Sequence, residues 1–421
     1  MSLEKPALFP EKRTFVWFIV LLSVIISFRL FMAYDAYTNF ISKPFYYTHA
    51  TVLSAYEKSK GNRRYQVVKL RSDEGLTFYT TSHDKDDFSH TRVRIQIFPS
   101  KSISFSGYLG TFYVKSRIKE KEVLPLTFKD TLLKKVASQH AETSLQSFYN
   151  AIFFATPLQK ELREKIALLG VSHLVALSGF HLGILWGVVY GFLLLLYRPL
   201  QQHYFPYRHA LFDVGLVTIF LLGAYVWFVG FPPSLLRSYA MVLVGWMMLL
   251  LGVELLSFTF LTSIMFVLVA LFPSLLFSLS FGFSVAGVFY IFLLLQYTKK
   301  FKTWQITLFF IPLGIFVLML PVVHAVFPVS SGYQLLSPLL SLLFIPFYPL
   351  VILLHLVGFG GILDGVLLGL FSLPDKSSAH LVPLWLLLGY VMVSFAAIWY
   401  KKAFYALIVM ALGYGMYIFT L

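Results

Sequence analysis

The sequence predicts a polytopic α-helical membrane protein with one small β domain outside the bilayer. Hydrophobic residues make up 58% of the 421 residues and charged residues only 13%, whereas soluble domains average about 25% charged residues. Beyond residue 169 the chain contains long runs without any charge. A single soluble domain, a disordered chain and a collagen-like chain are therefore excluded, and about 9–11 transmembrane helices are expected, including one at the N-terminus.

The charge distribution separates a basic first part from an apolar second part. Residues 1–169 contain 25 Lys and Arg with 15 Asp and Glu, and residues 170–421 contain only 9 and 4. The net charge is +15, and cysteine is absent. The absence of cysteine excludes disulfide frameworks, thiolate zinc sites, iron–sulfur clusters and cysteine nucleophiles.

The first predicted element is a membrane helix within residues 1–36. Residues 14–28 (TFVWFIVLLSVIISF) are uncharged, and no small-residue cleavage motif follows them. A retained signal-anchor helix is therefore favoured over a cleaved signal peptide. Lys12 and Arg13 precede the apolar run and place the N-terminus in the cytoplasm. The next domain is then expected on the periplasmic or extracellular side of the cell (inner) membrane.

Residues 40–125 are predicted to form a small β domain. Gly61-Asn62 indicates a hairpin turn after the segment Thr51–Lys58. About five strands in roughly 80 residues suit a small closed barrel such as an OB-fold, or a small sandwich. The other segments, which are rich in β-branched and aromatic residues, are Tyr65–Arg71, Leu76–Thr81, Thr91–Ile97 and Leu109–Val114.

This β domain is basic, with 15 Lys and Arg against 8 Asp and Glu in residues 41–125. Proteins that bind single-stranded nucleic acid without sequence preference combine a cationic groove with aromatic rings. A solvated strand face over an aromatic core is the plain alternative, and the sequence leaves both open. The candidate residues for binding single-stranded nucleic acid are Lys58, Lys60, Arg63, Arg64, Lys69, Arg71, Arg92, Arg94, Tyr65 and Tyr79.

Residues 126–169 are predicted to form amphipathic connecting helices. Leu132, Leu133 and Val136 recur at helical spacing, with lysines at other positions. Such helices either lie on the membrane surface and roof a vestibule, or form a connector packed on the membrane domain.

Residues 170–421 are predicted to form a multi-helix membrane domain. The uncharged runs hold about nine or ten spans at about 20 residues each. Residues 357–373 are short, rich in glycine and contain Asp364, so they fit a span and a re-entrant or surface helix equally well. If this segment crosses once, alternation of the spans puts the cationic loops in the cytoplasm, as the positive-inside rule requires.

Polar residues cluster at the start of this domain, in residues 170–183. Polar side chains are costly within apolar runs and are functional candidates by default. Ser178 and His181 are three residues apart and would share one helix face. They could form a catalytic pair as in intramembrane serine proteases, hold helices together, or line a polar path. A pair on one helix rarely aligns for nucleophilic attack, which disfavours the first interpretation.

Two further segments carry isolated polar groups. Arg237 follows a break with two prolines and suits contact with phosphate or carboxylate. The alternative is an interfacial arginine paired with Glu254 or Asp213. Ser280 lies in a stripe of small residues that, taken alone, is typical of helix packing.

Together these segments resemble the ComEC family of competence proteins. The matching stretches are Ser172-His173-Leu174 through Ser178-Gly179-Phe180-His181, then Ser234-Leu235-Leu236-Arg237, then Phe277–Phe281 with Gly287. Phe180 stands where the family usually has leucine. The resemblance implies an inner-membrane channel for single-stranded DNA during natural competence. It also implies partners: single-stranded DNA, membrane lipid, an external DNA-receptor protein and a cytoplasmic helicase-like motor. The oligomeric state is left open.

The resemblance assigns the polar segments of residues 170–421 to a DNA channel. Many family members also carry a metallo-β-lactamase-like domain, and this sequence has no H-x-H-x-D-H motif. We therefore expect no enzyme activity, no catalytic residue, no metal and no cofactor. A phosphate-binding G-x-x-x-x-G-K-[ST] loop is also absent, so the energy must come from elsewhere. The alternative is a small-solute or lipid-handling transporter with a periplasmic β domain. The expected channel-lining or gating residues are Ser172, His173, Ser178, Gly179, His181, Arg237 and Ser280.

Overall fold

The computed structural model describes residues 9, 11–60, 63–82, 88, 90–250, 257–374 and 377–420. The chain divides into two compact units. The membrane unit contains Thr131–Leu261 and Phe283–Leu421, and the β unit contains Phe9–Asp130 and Thr262–Gly282.

The β unit begins with the long helix α1 (Lys12–Ser42). Its 31 residues extend over about 46 Å, more than the roughly 30 Å of a bilayer core. Trp17 and Phe28 are among its many exposed apolar side chains, which suit a lipid environment. Arg29 donates from Nη1 to the carbonyl oxygens of Ala270 (2.7 Å) and Leu271 (2.8 Å). This arginine therefore satisfies carbonyl groups at the end of helix α10 (Phe258–Leu271).

A six-stranded sheet follows α1 in the β unit. Its order is β5-β3-β2-β1-β4-β6, and all neighbours are antiparallel except β3 and β5. Each predicted segment contains a strand, but of the predicted Leu109–Val114 only Thr111–Tyr113 is extended in the sheet, because Leu109 ends a short helix. The strands are β1 (Tyr46–Lys60), β2 (Arg63–Ser72), β3 (Thr77–Ser82), β4 (Thr91–Phe98), β5 (Thr111–Tyr113) and β6 (Lys115–Val123), with the short helix α2 (Phe105–Leu109) before β5.

The sheet buries one face and exposes the other. Alternation is regular in β3 and β4, where Phe78, Val93 and Ile95 are fully buried. The sequence analysis missed β6 because charged residues dominate KSRIKEKEV. This pattern is typical of an edge strand, where charge discourages further pairing. Closure of the sheet into an OB-like barrel stays a prediction.

Strands β1 and β2 form the predicted hairpin, with pairing that continues to Lys60 opposite Arg63. The predicted turn residues Gly61 and Asn62 lie outside the described residues, as do the side chains of Lys60 and Arg63 and all of Glu254.

The connecting segment folds into α3 (Phe128–Ala137), α4 (Thr143–Phe154) and α5 (Lys160–Leu168). Helix α4 is largely buried, and its Leu145 and Ile152 pack in one core with Tyr348 and Val351 of helix α14 (Ser337–Leu356). The structure therefore supports a connector packed against the membrane helices.

Seven described helices are long and apolar enough to cross a membrane, which confirms a polytopic helical protein with a β domain. Besides α1, they are α7 (Gly179–Tyr204), α8 (Ala210–Phe228), α11 (Leu279–Tyr297), the segment Thr303–His324, the segment Gly332–Leu356 and α17 (Lys401–Thr420).

Four further apolar helices of the described residues are shorter, at 10–17 residues, so this part of the chain has seven helices of full spanning length where about 9–11 were expected. Residues Gly360–Phe371 are one of them. At 1.5 Å per residue, this helix covers about 18 Å and falls short of a bilayer core. The orientation argument counts this segment as a crossing, so the side of the membrane stays a prediction. The other three are Ser234–Leu250 within α9 (Pro233–Leu250), Phe258–Leu271, and α16 (Leu384–Ala396).

Candidate functional site

The polar segment near residue 178 is a break between two helices. Helix α6 (Ser172–Val175) ends, residues 176–178 run in extended conformation, and α7 begins at Gly179. Ser178 is the N-cap of α7, so the expectation that Ser178 and His181 share a helix face is wrong. Short polar residues are favoured at the N-cap because their side-chain oxygen accepts a hydrogen bond from a free N–H group of the first helical turn.

Ser178 and His181 form a reciprocal cap. The Phe180 N–H donates to Ser178 Oγ at 3.3 Å, and the Ser178 N–H donates to His181 Nδ1 at 3.4 Å. Ser178 Oγ lies 3.4 Å from the same ring nitrogen, beyond the 2.6–3.2 Å typical of a nucleophile and its base. The spacing of these residues is therefore explained by capping, with histidine in the place of the usual glutamate.

The break is held against α14. The ring of His181 is completely buried and lies edge-on to Phe344 and Tyr348, at 5.1 and 4.9 Å between centroids. His173 is exposed, and its Nε2 lies 3.2 Å from Ser341 Oγ. His181 is thus enclosed, whereas His173 and the neighbouring Ser172 reach the surface.

The Arg237 segment docks on the same break. Ser234 Oγ donates to the Leu177 carbonyl oxygen at 2.6 Å. A Cβ added at Gly179 would come within 2.9 Å of Ser238 Oγ, so glycine permits this close approach. Arg237 follows on α9 and is 6% exposed. The structure therefore brings two of the three predicted segments together.

Ser280 is exposed near the start of α11 and belongs to the β unit. The other two segments belong to the membrane unit.

An open groove of about 490 Å³ lies beside the break. An added Cβ at Gly183 or Gly187 would meet no described atom within 4 Å. Because these glycines are four residues apart, they follow one face of α7. The residues that line the groove are Gly179, Phe180, Gly183, Ile184, Gly187 and Val188 of α7 with Ile345 of α14.

Comparison with known families decides the assignment. Residues 155–421 match the family model described as competence protein, and this range includes more than half of the chain. The chain belongs to the competence protein family. No curated protein and no solved structure matches it. Membership confirms the resemblance found in the sequence and indicates a role in DNA uptake during competence.

The break and the Arg237 segment of this competence protein fall within the matched range, whereas the β domain precedes it. On the β domain, Lys69, Arg71 and Tyr79 lie on the face opposite the buried core. Lys69 is paired with Tyr79 in the ladder, and its Nζ is 5.6 Å from the centre of that ring. These three side chains form a basic and aromatic patch.

Two other arginines of that face carry acidic partners. Arg92 is bonded to Asp73, and Arg94 Nη1 lies 3.0 Å from Glu120 Oε1. Both ion pairs are exposed and so contribute little to stability, but they reduce the positive charge of this face. Of the remaining candidates, Lys58 and Arg64 are exposed near the distal end of the β1–β2 hairpin, and Tyr65 is half-buried there.

The sequence analysis missed a second polar cluster in the membrane unit, formed by His140, His355 and Asp364. It noted Asp364 only as a charge in a short helix. His355 lies in the uncharged run 303–363, and an ionisable residue in such a run is itself a functional signal. His140 carried no such signal, because it lies in a polar connector.

Replacing Ser178 separates capping from catalysis. Ser178→Ala is expected to lower the free energy of unfolding by about 1 kcal/mol, because the α7 cap is lost. Ser178→Asn restores a capping oxygen and is expected to retain both thermal stability and DNA uptake. Thermal unfolding of the purified protein and a transformation assay measure the two effects. If the asparagine variant were stable yet inactive in transformation, the Ser178 hydroxyl group would have a role beyond capping α7.

Proposed function

We propose that this competence protein is the channel that carries transforming single-stranded DNA across the cytoplasmic membrane into the cytoplasm. The observation that carries the proposal is the docking of the Arg237 segment on the α6–α7 break, beside an open groove between α7 and α14. In this proposal the β domain lies outside the cytoplasmic membrane. An external DNA receptor delivers the strand to it, and a cytoplasmic helicase-like motor pulls the strand inward.

The residues of the break divide into two roles under this proposal. Ser172, His173 and Gly179 are exposed and would line the path. His181 and Arg237 are buried, so they would gate the path by holding the break together. Ser178 would position α7, and Ser280 stays a candidate on the β unit.

The groove suits transport better than tight binding. Its walls are glycines and apolar side chains, and a strand that is bound strongly along its length would stall. A conducting path must bind weakly enough to release its cargo. The sparse charge of residues 170–421 is therefore compatible with passage of a polyanion.

The basic and aromatic patch is proposed to receive the strand. Binding of single-stranded DNA by the full-length protein in detergent is expected to weaken as salt rises, because phosphate contacts release counterions. Lys69→Ala is expected to reduce the slope of log affinity against log salt by about 0.7. Tyr79→Ala is expected to weaken binding by about 1–3 kcal/mol through lost stacking.

Arg94→Ala is the matched control, because its guanidinium already pairs with Glu120. It is expected to change the salt slope less than Lys69→Ala. DNA affinity that is absent or independent of salt would contradict the proposal and favour a transporter of small solutes or lipids.

A further inference from the structure

Three ionisable side chains from three separate elements meet inside the membrane unit. His140 follows α3, His355 is near the end of α14, and Asp364 begins the short helix α15 (Asp364–Phe371). His140 Nδ1 lies 2.9 and 3.0 Å from the two carboxyl oxygens of Asp364. His140 Nε2 lies 2.9 Å from His355 Nε2. Both histidines are buried, and the Asp364 side chain is 21% exposed.

The hydrogen bonds of this triad indicate how many protons it holds. His355 Nδ1 is 2.6 Å from the Val351 carbonyl oxygen, which can only accept, so this nitrogen carries a hydrogen. The link between the two Nε2 atoms needs one hydrogen, and the link between His140 and Asp364 needs another. Three protons, one in each link, therefore account for the three short distances.

Counting charge gives a neutral triad. Three protons on two imidazoles and one carboxylate sum to zero net charge, wherever each proton lies within its link. The cation can be His140 or His355 with Asp364 ionised, or all three groups can be neutral. Movement of one proton between the Nε2 atoms transfers the positive charge from one histidine to the other without breaking a link.

We propose that His140, His355 and Asp364 form a buried proton-binding site that fastens the α3–α4 connector to the membrane helices. The same junction contains two further bonds: Gln139 Nε2 donates to the His355 carbonyl oxygen at 3.1 Å, and the Gly360 N–H donates to Gln139 Oε1 at 2.8 Å. Asp364 is the partly exposed member, so protons reach the site through it.

A metal ion does not fit between the two histidines. Two imidazole nitrogens bound to one tetrahedral zinc ion lie about 3.3 Å apart, given bond lengths of about 2.0–2.1 Å. The observed separation is 2.9 Å and corresponds to a hydrogen bond. Among the described residues, no group of three or more His, Cys, Asp or Glu side chains is arranged to hold a metal.

The side chains beside the triad are two aromatic rings and two charged groups that face solvent. Tyr149 of α4 stacks on His140 at 4.4 Å between ring centroids. Burial raises the pKa of Tyr149, so it stays neutral where histidine titrates, between about pH 5 and pH 8. Phe153 covers His355 at 5.0 Å. Lys135 and Glu142, on the chain beside His140, are exposed to solvent.

This proton count predicts that the stability of the fastened state has a bell-shaped dependence on pH. When the junction opens to water in acid, both histidines are charged and the three groups hold four protons. In alkali, both are neutral and the groups hold two. Opening therefore takes up one proton in acid and releases one in alkali, so the fastened state loses stability on both sides of neutrality.

The test uses spin labels, which can be placed selectively because the chain has no cysteine. Ser138→Cys and Ile362→Cys put labels on exposed positions at the two sides of the junction. The distance between the labels, measured by EPR on the full-length protein in lipid nanodiscs, is expected to be shortest near neutral pH. It is expected to increase toward about pH 5 and above about pH 8.

Asp364→Asn provides the decisive comparison. In the variant the amide can donate from Nδ2 to His140 Nδ1, which keeps a hydrogen bond without a proton on that ring nitrogen. The fastened state then holds two histidine protons, one on His355 Nδ1 and one between the two Nε2 atoms. The free energy of opening the junction should then no longer depend on pH in alkali. In acid, opening should take up two protons, so this free energy should change with pH twice as steeply as in the wild type.

His203→Gln is the matched control, because His203 is exposed in the last turn of α7 and outside the junction. Nitrogen-15 NMR of the histidine rings gives an independent measurement. We expect a scalar coupling between two ring nitrogens that disappears in His140→Gln and in His355→Gln but not in the control. An absent coupling, or identical pH profiles for the wild type and Asp364→Asn, would overturn the proposal. Neither measurement depends on DNA transport.

Discussion

Arg237→Ala is expected to reduce DNA uptake into the cytoplasm by about 10- to 100-fold, while the amount of protein in the membrane stays unchanged. Hydrogen bonds to charged groups contribute about 1.5–3 kcal/mol, and each 1.4 kcal/mol corresponds to a factor of ten. Arg237 is buried on α9 and precedes Ser238, the serine that lies close to Gly179. Arg237→Lys keeps the charge but loses the planar fork of donors, so partial activity is expected.

The assay is uptake of labelled DNA in a deletion strain that expresses each variant, with protein level measured by immunoblot. Arg208→Ala is the control, because Arg208 forms an exposed ion pair with Asp213 at 2.7 Å, away from the break. It is expected to retain uptake. Normal uptake by a well-expressed Arg237→Ala protein would remove this residue from the proposed gate.

Gly187→Trp is expected to block DNA passage and to reduce DNA uptake about as much as Arg237→Ala does. Gly187 lines the groove, and the space beyond its Cα is open among the described residues. An indole ring would occupy part of the 490 Å³, and its Cβ would meet no described atom within 4 Å. Because the position has open space, the protein is expected to fold and insert normally, so the effect measures the groove itself.

The matched control is Gly413→Trp on α17, where an added Cβ also meets no described atom within 4 Å. Uptake through this control is expected to be normal. DNA bound outside but not transferred in the Gly187 variant would locate the block inside the membrane domain. Unchanged transfer in a well-inserted Gly187→Trp protein would exclude the groove from the DNA path.

These two replacements test different parts of the proposed channel. Arg237 is enclosed and is proposed to act on how the break is held, whereas the groove is an open volume that the strand itself would occupy in this proposal. A loss in both variants with intact binding of DNA to the β domain would place the defect after reception of the strand. Salt-dependent binding by the full-length protein measures that earlier step separately.

The sequence by itself determined the fold class and most of the elements. Apolar runs predicted the membrane helices, and segments rich in β-branched and aromatic residues predicted the strands from Thr51 to Val114, because both patterns are local to one element. Strand β6 escaped since a charged edge strand lacks the apolar alternation of a half-buried one. The motif residues Ser178, His181 and Arg237 were also found from sequence, because polar groups stand out in an apolar run.

Only the tertiary structure decided how those residues are used. Ser178 caps α7 instead of sharing its face with His181, and glycine at 179 lets Ser238 approach from another helix. His140 bonds to partners that are 215 and 224 residues away in the chain. No local pattern encodes such a meeting, because it depends on how helices pack, and packing is set by contacts between residues distant in sequence.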